Sequence, residues 1–253
     1  MASFEDLLAE LDLYGAEGEP ATLWWRDDDA IEPTDPLARM IDLAERHAVP
    51  LTIAVIPAGL KPSLAPFIAP AAMVTPVQHG FRHRNLRAAG MKAAEFGDER
   101  DGAEIASEVA EGLALVRSLP RFRPVFVPPW NRIGDNHLPI LARAGLRGVS
   151  GFGARDHALP IEGFTRANTH ADITAWRRDR GFLGEAKVLG DLVTHLKARR
   201  AGSAERNEPT GLLTHHLVHD QASWEFIETL LGLTREHPGV RWIDAGQVFD
   251  LAA

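Results

Sequence analysis

The residues with the greatest chemical capacity fall in three short runs. "HGFRH" sets His79 and His83 four positions apart, "WWRDDDA" brings Asp27, Asp28 and Asp29 directly after two tryptophans, and "LLTHH" ends on His215 and His216. On a helical turn, histidines at i and i+4 have Cβ atoms about 5–6 Å apart and can share one cation. A carboxylate from a neighbouring strand would complete a two-histidine, one-carboxylate set with positions left open for water and substrate. Adjacent carboxylates repel, so three in a row suit a site where one ligates a cation and its neighbour takes a proton from water. Each run also has an ordinary reading, the acids as a solvated turn or helix start and the histidines as surface.

The elements that must carry these groups are legible from hydropathy. "ATLWWR", "PLTIAVIP", "AMVTPVQH", "RPVFVPPW", "LRGVSGF", "TGLLTHH" and "GVRWID" read as strands, and "FTRANTHADI" as extended chain. Between them lie the helical patterns "DPLARMIDLAERHA", "EIASEVAEGLALVRSL", "NHLPILARAG", "GEAKVLGDLVTHLKARR" and "ASWEFIETLLGLTREH". A further helix opens the chain, with Phe4, Leu7, Leu8 and Leu11 on one face. Strand alternating with helix predicts an α/β fold whose parallel sheet is doubly wound or closed into a barrel. In both, reactive groups gather at the C-terminal ends of strands. The acids, His79, the Pro128–Pro129–Trp130 run and His215 all fall at such ends. With no linker or internal repeat in view, residues 1–253 are expected to form one domain.

Composition narrows the chemistry. The 253 residues include no cysteine, so a metal must be held by His, Asp, Glu or water. The net charge of −8 argues against a nucleic-acid or anionic-membrane partner. No apolar run approaches the ~20 residues of a membrane span, and the acidic start lacks the pattern of a secretory signal. The expected location is the cytoplasm, and nothing marks an oligomeric interface.

Taken in order, "RDDD", "HGFRH", "VPPW", "DITAW" and "LLTHH" resemble the five successive motifs of the polysaccharide deacetylases, the NodB-homology enzymes of carbohydrate esterase family four. The resemblance covers residues 22 to 220, and the histidine motif is its most specific part. It implies a distorted (β/α) barrel of about seven parallel strands. It also implies a divalent metal, zinc foremost with cobalt, nickel or manganese as alternatives, and removal of acetyl groups from N-acetylated sugars. By resemblance Asp28 is the catalytic base and Asp29, His79 and His83 are the metal ligands, with Asp27/Asp28 as the alternative acidic pair. Pro129 and Trp130 would form one groove wall. Asp172 and Trp176 would orient the acid histidine and shape the pocket, and His215, rather than His216, would be the general acid. One departure stands out: Val127 occupies the place of an arginine that orients the base. Arg132 and Arg26 are the candidate substitutes.

Other readings compete. A non-haem iron oxygenase uses a similar ligand set, but the HxD spacing and a β-rich fold are missing. Hydrolysis of another small C–N bond keeps the chemistry and changes the substrate, and a small acetamido sugar suits a protein without an export signal as well as a polymer does. A degenerate site that binds sugar without cleaving it would explain Val127. Trp24, Trp25, Trp130 and Trp176 suit stacking on sugar, although such tryptophans are commonly core. Asp191 and His195, spaced i and i+4, read as a surface pair. His219 and Asp220 read as partners of His215, or Asp220 as a helix cap.

Overall fold

The computed structural model describes residues 1–155 and 161–251. Its strands are β1 (Ala21–Ala30), β2 (Leu51–Val55), β3 (Val74–His79), β4 (Val125–Val127), β5 (Gly148–Val149), β6 (Thr165–Arg166), β7 (Ala171–Asp172), β8 (Thr210–Thr214) and β9 (Val240–Trp242). Every pairing among them is parallel. Around the sheet the order is β6-β5-β4-β3-β2-β1-β8-β7, with β9 against the start of β1. β6 and β7 are two parts of one extended run, which pairs with β5 at its beginning and β8 at its end. Between them the Thr169 amide donates to the Gly151 carbonyl, 3.1 Å. That run closes a distorted barrel, irregular on the side where the strands are only two or three residues long.

The helices are α1 (Phe4–Ala16), α2 (Asp35–His47), α3 (Leu64–Ile68), α4 (Gly102–Val116), α5 (Leu138–Arg143), α6 (Glu185–Ala201), α7 (Gln221–Thr234) and α8 (Ala245–Val248). Side-chain caps fix several starts: Ser3 on α1, Thr34 on α2, Asp101 on α4 and Asp220 on α7. Each satisfies amides that the first helical turn leaves without partners. Leu7, Leu37, Leu189 and Ile227, one from each of four helices, join a core against the outward faces of β1, β2 and β8. No helix among the described residues is long and apolar enough to cross a membrane.

Alternation along β1 organises the barrel. Leu23 and Trp25 point outward into the helix-covered core, whereas Trp24 points inward beside Ala54, Val77, Val125 and Val127. Phe249 plugs the same interior, its ring edge-on to Trp24 at 5.9 Å. Gly148 makes room for it, since a Cβ there would lie 2.4 Å from the Phe249 ring. Burying an indole of this kind stabilises by about 4 kcal/mol before entropy is counted. The same inward column continues from Trp24 through Arg26 to Asp28, so the barrel floor is apolar and its mouth is charged.

Candidate metal and catalytic site

Period-two alternation would send Asp27 and Asp29 to one face and Asp28 to the other. The strand breaks that rule at its end. Its register with β2 shifts between Asp27 and Ala30, and Asp29 adopts a positive φ of 77°. The resulting bulge re-aims the last carboxylate, a common use of such irregularities beside functional sites. Asp29 Oδ1 lies 3.2 Å from His79 Nε2 and 3.3 Å from His83 Nε2. Asp28 stays in the barrel mouth, with its Oδ2 3.9 Å from His215 Nε2.

The two histidines do not sit on a helical turn, contrary to the expectation from their spacing. β3 ends at His79, and residues 80–83 form a bent loop with positive φ at Gly80 (52°) and His83 (54°). The loop folds around one buried carboxylate. The amides of Phe81, Arg82 and His83 all donate to Glu95, at 3.1, 2.7 and 3.3 Å. Gly80 is required twice: its φ is left-handed, and a Cβ would lie 2.4 Å from Glu95 Oε2 and 2.5 Å from the Pro129 ring. Glu95 is the residue that sequence reasoning missed. Its only signal was an acid placed close after the histidine motif, which many surface loops share.

His79, Asp29 and His83 fit a divalent cation. The Nδ1–H of His79 donates to the Val127 carbonyl, 2.9 Å, which leaves Nε2 with its lone pair toward Asp29. Asp29 Oδ1 is buried and has no hydrogen-bond partner among the described residues. Burial works to raise the Asp29 pKa, but His79, followed by the charges of His215 and His83, holds it well below the usual carboxylate range. The Trp130 ring lies 4.6 Å from that of His83 and walls this side. Trp130 and Asn131 are both left-handed, at φ 55° and 57°, a strained pair that persists because both side chains have fixed partners.

Asp28 is gripped by a fully buried arginine from its own strand. Arg26 Nε and Nη2 donate to the two Asp28 oxygens at 2.9 and 3.0 Å, a bidentate pair. The guanidinium is held in turn by the Ser150 hydroxyl (2.6 Å), the Ser150 and Gly151 carbonyls (3.2 and 3.3 Å) and Asn131 Oδ1 (2.5 Å). Of the two candidate substitutes, then, Arg26 contacts the base position. Arg132 is exposed and donates instead to the Ala93 carbonyl, 2.8 Å. A buried valine is tolerated at position 127 because its carbonyl, accepting from His79 and from the Gly80 amide, is what the site uses there.

Asp27 points away from this mouth. It accepts from Thr214 Oγ1 (2.7 Å), the His216 amide (3.0 Å) and the His216 ring Nδ1 (2.5 Å), all buried. Burial raises its pKa, and the facing His216 more than reverses that. The pair locks β1 to the segment after β8 and leaves His215 facing the mouth. There the Trp176 ring meets His215 edge-on at 4.6 Å, and the Trp176 indole N–H donates to Asp172 Oδ2 at 2.7 Å. Burial holds the Asp172 pKa above the ordinary carboxylate value, with the nearby His215 acting against it. The His215 amide donates to His219 Nε2, 3.3 Å, while Asp220 caps α7. Trp24 and Trp25 are core; Trp130 and Trp176 are the tryptophans at the mouth.

A second two-histidine, one-carboxylate group, His170, His195 and Glu208, is buried near the start of β8. His195 is therefore no surface residue: α6 turns it inward, while Asp191 pairs with Lys187. The two imidazoles stack at 3.4 Å, with Nε2 atoms 3.6 and 3.8 Å from Glu208. The His170 tautomer argues against a cation. His170 Nδ1 accepts from the Gly211 amide, 2.9 Å, so a neutral ring carries its proton on Nε2 and offers no lone pair to a metal. The group acts as a brace: Glu208 also accepts from the amides of Arg155 (3.0 Å) and Asn168 (3.1 Å).

No protein-family model matches the chain, and no curated protein does. Solved structures do match. A peptidoglycan N-acetylglucosamine deacetylase superposes with a TM-score of 0.59 at 14% identity, over 92% of this chain and 90% of its own. A family 4 carbohydrate esterase from Streptomyces lividans gives 0.52 at 13% identity, over 84% and 88%. A family 4 pseudoenzyme from Bacillus anthracis gives 0.58 at 14% identity, over 92% and 66%. The fold is that of the polysaccharide deacetylases, as the motif order implied.

Proposed function

We propose that this chain is a divalent-metal-dependent hydrolase that removes the acetyl group from an N-acetylated sugar or sugar conjugate. The observation that carries the reading is the meeting of Asp29 with the Nε2 atoms of His79 and His83, beside an arginine-clamped Asp28 and across from His215. Asp29, His79 and His83 would hold the cation, with zinc the first candidate and cobalt, nickel and manganese the alternatives. When bound, the cation polarises the amide carbonyl and makes water more acidic.

The chain's own groups supply the rest. Asp28 takes the proton of the attacking water, and the two-oxygen grip of Arg26 keeps that carboxylate aimed. His215, protonated, gives its proton to the amine nitrogen as the C–N bond breaks, so acetate and a free amino sugar leave. The edge of Trp176 restricts the His215 ring, and Asp172 fixes Trp176. Trp130 and Pro129 form the wall against which the sugar lies.

The test is acetate release from a panel of acetamido sugars by zinc-loaded protein. Asp28→Asn should lower the rate at least 100-fold, with zinc content unchanged. A binding protein without turnover is the second reading, favoured by Val127 and by a fold neighbour that is a pseudoenzyme. Sugar binding without acetate release from any member of the panel would select it.

A further inference from the structure

Beside the Arg26 clamp lies a cleft of about 390 Å³ that none of the metal or proton-transfer residues lines. Asn131 and Gly151, which hold the Arg26 guanidinium, form its inner wall, so the cleft is one residue layer from Asp28. Its rim is basic in a chain of net charge −8: Arg87, Arg132, Arg155 and Arg166 line it, against Asp98 and Asp135.

Two of the guanidiniums, those of Arg87 and Arg155, are anchored from outside the cleft, although Arg87 Nη2 also stands 3.7 Å from Asp98 within it. Glu99 grips Arg87 through two oxygens at 2.9–3.2 Å, and Glu205 holds Arg155 at 2.5 Å, yet neither glutamate lines the cleft. Among the described residues Arg155 Nε is buried without a partner, its Nη1 donates to the Arg166 carbonyl at 2.5 Å, and Arg132 has no carboxylate partner. Arg166 pairs with Asp135, whose side chain is 80% exposed. The buried brace of His170, His195 and Glu208 fixes the backbone at Arg155 and Asn168, two residues of this lining. Planar guanidinium forks suit the oxygens of an anion.

We infer that this cleft is a subsite for an acidic substituent, a carboxylate or phosphate, carried by the acetamido substrate. The inference rests on the deacetylase reading for the substrate's neutral part and on the arginines for its charge.

The experiment is calorimetric titration of the zinc-loaded full chain at low salt with N-acetylglucosamine, N-acetylglucosamine 1-phosphate, N-acetylmuramic acid and inorganic phosphate. The expected result is that one acidic sugar binds about tenfold or more tighter than the neutral sugar. Which one wins distinguishes phosphate from carboxylate. The ratio of acidic to neutral affinity should fall about tenfold in Arg132→Gln or Arg166→Gln, and should shrink in about 0.5 M salt. Equal affinity for all three sugars, or a preference intact in both variants, overturns the inference. If no sugar binds but inorganic phosphate binds wild type and not the variants, the anion subsite stands and the acetamido-sugar reading fails. If neither sugar nor phosphate binds, the subsite is refuted.

Discussion

At the scale of single residues, the site is governed by how its buried charges are paired. Arg26 has no exposed surface, and each nitrogen of its guanidinium is engaged. Replacing it by alanine would leave Asp28 buried beside empty space, and breaking such a pair costs about 3–5 kcal/mol. Arg26→Ala should therefore melt well below wild type and release acetate poorly; Arg26→Lys should recover part of the stability but not the two-oxygen grip. Thermal melting and acetate assays on both variants check this. The order of the three acids was only partly legible. The sequence resemblance favoured Asp28 and Asp29, with Asp27 and Asp28 as the alternative. What separates them is the φ of 77° at Asp29 and the His216 contact to Asp27, both products of tertiary structure.

At the scale of elements, the turn after β3 sets the two candidate ligand histidines, and Glu95 sets the turn. Glu95→Gln keeps the shape but replaces one acceptor oxygen with a donor, so at least one of its three amide bonds is lost. Loss of such supporting contacts typically costs 10–100-fold in metal affinity, about the effect expected here in a competitive zinc titration. Unchanged affinity would show that the turn holds its shape without the carboxylate. The elements themselves were readable, because the first half of β1 and the strands β2, β3 and β8 are largely apolar, several helices start on side-chain caps, and α6 stops at Gly202. The helical turn inferred for "HGFRH" was wrong for a physical reason. Spacing i, i+4 is also met by a loop with two left-handed residues around a carboxylate, and pattern alone does not distinguish them. His195 was misjudged similarly: α6 has little amphipathic contrast, and its buried face is polar where it meets Glu208.

At the scale of the molecule, buried histidines couple folding to pH. Burial holds His170 neutral down to about 4, with Glu208 opposing that effect, and burial likewise holds His219 neutral down to about 4 against the charge of Asp27. In the unfolded chain both would protonate below about 6.5. Between these values the unfolded state binds more protons, so stability falls as pH drops from about 6.5 toward 4, by on the order of 2 kcal/mol per group. His216 acts in the opposite sense. Burial alone would lower its pKa, but Asp27 raises it, so its contribution is present below the unfolded value and fades as pH rises through the folded one. Denaturant unfolding of metal-free protein between pH 7 and 4.5 should show a net loss toward acid. A flat profile would mean that His170 and His219 are not held neutral as their burial implies.

The claim on which the rest depends is that one cation binds between Asp29, His79 and His83 and not at the buried brace. Elemental analysis after zinc loading and desalting tests it directly, on wild type, Asp29→Asn and His79→Ala, each checked for folding by circular dichroism. The account predicts about one zinc per chain in wild type and none in either folded variant. Zinc retained by both variants, or absent from wild type, would contradict it.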